Sequence, residues 1–105
     1  MDKIPPGIKK LIHKYIDELK KNNILIRQAI LFGSYAKGNP NKWSDIDIAL
    51  VSEAFEGMRI KDRGKIRKIT LGISSDLSPL PFRPEDFTPE NPFVNDILET
   101  GIRII

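Results

Sequence analysis

Apolar residues recur at Ile8, Leu11, Ile12, Tyr15, Ile16 and Leu19, three or four positions apart, with lysines and acids between them. That spacing lays them along one stripe of a helix and predicts helix over Pro6–Lys21, stopped by Asn22 and Asn23. Residues 24–32 then form an apolar run centred on Ile26 to Leu31, read as a strand that Gly33-Ser34 turns. Tyr35-Ala36-Lys37 has room for one helical turn, ended by Gly38, and residues 39–42 are loop. A second strand is expected over 45–51. Ile46, Ile48 and Leu50 alternate on one of its faces, while Ala49 and Val51 make the other face apolar beyond Asp45 and Asp47. Apolar residues on both faces mark a strand inside a sheet that is covered on both sides.

The second half is less regular. After a connector at 52–57, Ile60, Ile66 and Ile69 predict a helix over 58–69, weakened by Gly64. Residues 71–77 read as a third strand, and Pro79, Pro81 and Pro84 as a following loop. Asn91-Pro92 has the form of a helix start, with Phe93, Val94, Ile97 and Leu98 on its apolar side and Gly101 at its end. Residues 102–105 are expected to add a short final strand. The order implies an α/β (α+β) fold: a small mixed sheet of about four strands backed by helices.

With 105 residues, the chain fits one domain over 1–105 and leaves no room for a separate substrate domain. Charged residues are 30% and hydrophobic ones 40%, the balance of a globular protein, and no apolar run approaches the roughly 20 residues that span a bilayer. No membrane association is therefore expected. The absence of cysteine removes disulfides and thiolate metal sites, and with no apolar leader at the N-terminus a cytoplasmic location is expected. A net charge of +3 is too mild to imply nucleic-acid binding by itself. It is unevenly spread, because Arg59, Lys61, Arg63, Lys65, Arg67 and Lys68 stand together with only Asp62 to oppose them. A solvated helix face is the default reading of that group.

The candidate chemistry lies between the first two strands. Ten residues, the last of them Ser44, separate Gly33-Ser34 from Asp45-Ile46-Asp47. Asp45 and Asp47 are two apart in a strand and point to the same side. Adjacent carboxylates resist joint ionisation unless a cation relieves them. Oxygen ligands without Cys or paired His favour Mg²⁺, as one ion or two, over Zn²⁺. Gly33 lets the backbone approach a ligand closely, and Ser34 opens a turn whose hydroxyl and N–H groups can face phosphates. Such a site suits a nucleoside triphosphate, with metal ions neutralising both ends of an in-line displacement. A third acid would complete it. Asp76, expected in the third strand, is the best candidate for metal ligand and base. Ser44 caps the loop before the acid pair and is a further nucleotide-binding candidate. Trp43 and Tyr35 are assigned to packing, Lys37 and Lys42 to the surface, and His13 to the exposed side of the first helix.

Gly33-Ser34, ten residues, Asp45-x-Asp47 and a later acid resemble the DNA polymerase beta-like nucleotidyltransferase superfamily, and the size and element order look like its minimal nucleotidyltransferase branch. The resemblance implies a nucleotidyltransferase fold, with Asp45, Asp47 and Asp76 as catalytic metal ligands and Gly33 and Ser34 at the nucleotide. It implies ATP as substrate and Mg²⁺ as cofactor. It also implies a helical HEPN-type partner encoded nearby, whose tyrosine receives AMP in a toxin–antitoxin pair. Two alternatives stand beside this: a nucleotide-binding module that neutralises such a partner by docking alone, and addition of nucleotides to an RNA end, which only the basic helix supports. Self-association through the final strand is a further expectation.

Overall fold

The computed structural model describes residues 4–38 and 45–105. The chain runs α1 (Pro6–Lys21), β1 (Gln28–Phe32), β2 (Ile46–Val51), α2 (Arg59–Ile73), β3 (Leu77–Phe82), a 3₁₀ turn at Pro84–Asp86, α3 (Pro92–Thr100) and β4 (Ile102–Arg103). The four strands form one mixed sheet in the order β3-β2-β1-β4. β1 is antiparallel to both β2 and β4, and β2 is parallel to β3 across the α2 crossover. The α/β sheet and its helical backing are those expected from the pattern.

Each face of the sheet has its own core. On one side, Leu31, Ile46, Ile48, Leu50 and Leu77 pack under α1 and α2, against Ile12, Tyr15, Leu19 and Ile66. On the other, Ile30, Ala49, Val51 and Phe82 pack under α3, against Val94, Ile97 and Phe87. The alternation along β2 divides its residues between these cores as the sequence implied. Burial of about 25 cal/mol per Å² of apolar surface drives both. Across the first core, the buried Tyr15 hydroxyl lies 2.5 Å from Thr70 Oγ1, and the Thr70 hydroxyl donates to the Ile66 carbonyl at 2.9 Å.

Several boundaries differ from the sequence reading. β1 begins at Gln28, and β2 at Ile46. α2 runs through Gly64 to Ile73, so Leu71 to Ile73 are helix and the third strand is Leu77–Phe82 rather than 71–77. Pro79 and Pro81 lie inside that strand, and the loop expected there is a β-element. Hydrogen bonding explains their tolerance. The carbonyls of Asp76 and Phe82 accept from Ile46 and Ser52 at 2.8 and 3.1 Å, so even-numbered residues turn their polar groups towards β2. Odd-numbered residues face away from the sheet, and there a proline loses no ladder bond. The missing donors also blunt this free edge against another strand.

Side-chain placement on α2 differs too. Ile60, read as core, is 90% exposed. Asp62, read as an opposing surface charge, is buried and accepts the N–H groups of Glu56 and Gly57 at 2.8 and 2.9 Å. It fixes the connector before the helix and leaves the outer face of α2 cationic. On α3, Val94 and Ile97 are buried while Phe93 and Leu98 remain exposed. The Asn91 side chain accepts from the Phe93 N–H at 2.9 Å, the cap expected of Asn-Pro.

Candidate active site

The site begins where β1 ends. Phe32 stands directly opposite Asp47 in the antiparallel ladder, so Gly33 leaves the strand at the level of that acid. Gly33 has φ +75°, and a Cβ there would run into the Asp47 carboxylate, touching Oδ2 and coming within 3.1 Å of Cγ. Glycine meets both demands, a left-handed backbone and contact with a charged group. The chain then makes a single turn, closed by the Lys37 N–H on the Gly33 carbonyl at 3.1 Å and the Gly38 N–H on the Tyr35 carbonyl at 3.3 Å. Tyr35 packs against the α1/α2 core and holds the turn, as expected, with Ala36 buried beside it. Ser34 is half-buried within it.

Asp47 is half-buried on the α3 side of β2. Burial, and then the charge of Asp45, hold its carboxyl above the ordinary aspartate range. The two acids thus share one field, as their spacing implied. Asp45 is exposed, one residue before the strand.

Asp76 is not in a strand. It occupies the exposed turn before β3, where its carbonyl accepts from Ile46. That bond brings its main chain beside the entry to β2. Among the described residues no three His, Cys, Asp or Glu side chains form a group that could hold a metal. The residue of β3 in register with Asp47 is Ser78, also half-buried. Sequence reasoning missed it because locating it needs the pairing register. Ser44 and the loop with Lys42 and Trp43 lie outside the described residues.

The donor set fits a hard divalent cation. Two neighbouring carboxylates, one of them held partly protonation-prone by burial and by the other, are the oxygen ligands that Mg²⁺ takes, and no sulfur or imidazole competes. A groove of about 570 Å³ lies elsewhere, between α2 and β3, lined by Ile60, Arg63, Arg67 and Leu71 among others. It contains no acid, and its strand residues Leu77 and Pro79 are not on the Asp47 side.

The chain is similar to known proteins. The family model for the nucleotidyltransferase domain matches residues 12–104. MJ1305 of Methanocaldococcus jannaschii, a predicted protein adenylyltransferase, is 34% identical over 82 residues, 72% of this chain and 55% of its own length. The chain therefore spans about half the length of that relative. A crystal structure of the toxin–antitoxin MntA–HpeT, in a mutant form, superposes with a TM-score of 0.59 at 19% identity, over 89% of this chain and 71% of its own. That likeness is one of fold. With the family model spanning both the glycine turn and the acid pair, this chain belongs to the nucleotidyltransferase domain family.

Proposed function

We propose that the chain transfers AMP from ATP to a hydroxyl group, and that the acceptor is a tyrosine of a helical HEPN-type partner protein. The observation that carries this is the contact of the Asp47 carboxylate with Gly33, beside the charge of Asp45. One corner can thereby hold both a cation and a triphosphate. The relative named for protein adenylylation supports a protein acceptor, and the toxin–antitoxin neighbour supports a dedicated partner.

In this reading Asp45 and Asp47 would hold Mg²⁺, and that ion would supply charge neutralisation at the phosphate oxygens. Gly33 and Ser34 seat the triphosphate at the turn, and Ser44 is a further nucleotide-binding residue of this reading. The acceptor oxygen attacks the α-phosphorus in line, the bond to the β-phosphate oxygen breaks, and pyrophosphate leaves with its electron pair. Asp76, whose main chain is bonded at the entry of β2, is the acid this reading assigns to the acceptor's proton. Ser78 lines the same side of β3.

The test mixes this chain with the helical protein encoded beside it, in α-labelled ATP and Mg²⁺. Label on a partner tyrosine, lost with Asp47→Asn, is the expected result. A stable complex without label would replace transfer by docking, and full transfer by Asp47→Asn would remove the mechanism.

A further inference from the structure

Phe93 is the one aromatic residue among the large apolar side chains left exposed in the described residues, at 46%. Its neighbours Val94 and Ile97 are buried, so the first turn of α3 is well seated and could have been sealed there with a polar residue at position 93. The ring meets Phe32 edge-on, with centroids 6.2 Å apart and planes at 88°. Phe32 in turn stands opposite Asp47, and directly opposed residues of an antiparallel pair share a face, with Cβ atoms about 5 Å apart. Asp47, Phe32 and Phe93 therefore follow one another across the α3 side of the sheet, within the span of one nucleotide. The other exposed apolar residues carry no ring, and several of them lie on α2 or in the connectors at 22–27 and 52–58.

We infer that the exposed ring of Phe93 is the surface on which the nucleobase stacks when the triphosphate occupies the Gly33–Asp47 corner. This rests on the transferase reading and adds a base subsite to it. A base presents a flat π-surface that an exposed aromatic ring can cover without any hydrogen bond, and such stacking is tolerant of base identity. Phe32, fixed in β1, meets the Phe93 ring edge-on and limits the freedom lost on binding. The subsite therefore prefers purines to pyrimidines by surface area, and separates ATP from GTP only weakly.

The experiment is calorimetric titration in Mg²⁺ buffer with two probes, α,β-methylene-ATP and inorganic triphosphate. Phe93→Ala should weaken the nucleotide about 10-fold, the scale of one lost base–aromatic stack, and leave triphosphate binding unchanged. Phe93→Trp should retain nucleotide affinity. Phe93→Leu, which keeps an apolar contact with Phe32 but has no ring, should lose as much as Phe93→Ala. Melting curves confirm that each variant folds. Nucleotide affinity untouched by Phe93→Ala, or both probes weakened equally, would overturn the base subsite while leaving the transferase reading standing. Wild-type protein that binds neither probe would overturn both.

Discussion

The two faces of β2 differ by one helix, and that helix decides where chemistry can occur. Ile46, Ile48 and Leu50 lie under α1 and α2 and are sealed along the whole strand. On the opposite side Ala49 and Val51 lie under α3, which has only nine residues, and cover stops before Asp47. The same six-residue strand is therefore fully packed on one face and open at one end of the other. A carboxylate at Asp47 remains half in water, where a cation and phosphates can reach it. A carboxylate at position 48 would be buried without a partner, at a cost of several kcal/mol. On the proposed function, stability belongs to one face and reactivity to the uncovered end of the other.

Substitutions on the two faces should therefore give opposite signatures. Asp47→Asn is expected to lower nucleotidyl transfer on the order of 10³-fold, the scale for losing a preorganised electrostatic group. In metal-free buffer at neutral pH its melting temperature should hold or rise, because burial and Asp45 both disfavour the charged form. The sign follows from linkage: an acid whose native pKa is raised costs stability once the pH passes that pKa, and the neutral amide removes the cost. Ile48→Ala should do the reverse, losing about 3 kcal/mol of folding free energy in urea titrations while the folded fraction transfers normally. Equal loss of both quantities in either variant would mean that the faces are not separable.

Gly33 sits where the faces meet, so Gly33→Ala should move both readouts by less. A left-handed φ of +75° costs a non-glycine residue about 1–3 kcal/mol. The added methyl also displaces the Asp47 carboxylate, and a misplacement of that kind costs on the order of 10²-fold in rate. Activity and stability measured on the same preparation would check it, and an effect on stability alone would show that Asp47 can move aside freely.

Much of this division was legible in the residues. The alternation over 46–51 separated the faces, and Gly33 next to an acid pair located the open corner, because both are local signals of period and spacing. The third acid was harder. Its expected strand at 71–77 came from an apolar run that in fact finishes α2, and the real strand carries two prolines that normally argue against one. Those prolines are allowed only because their positions face the free edge, a fact of sheet order. Ser78 beside Asp47, and Phe93 beside Phe32, are likewise products of register and helix crossing. Asp62 shows the same limit on α2, where a charge that looked like surface turned inward because two loop N–H groups needed an acceptor.

The smallest effect at neutral pH probes how dry the sealed face is. Tyr15 is buried on the inner side of α1, against Thr70 of α2, and burial pushes its phenol from 10.0 up to about 12, with the Thr70 contact working partly against that shift. Tyr15→Phe should cost about 1 kcal/mol at pH 8, one buried hydrogen bond. The difference should then change with pH. Between pH 10 and about 12 the unfolded chain has released the phenolic proton while the native chain keeps it, so wild-type stability falls as pH rises, by about 1.4 kcal/mol per unit. Tyr15→Phe has no such group and should not show that component, so the two urea midpoints should converge above pH 10. Midpoints that run parallel to pH 11 would mean that Tyr15 titrates as it does in water, and the contrast between a closed face and an open one would lose its closed half.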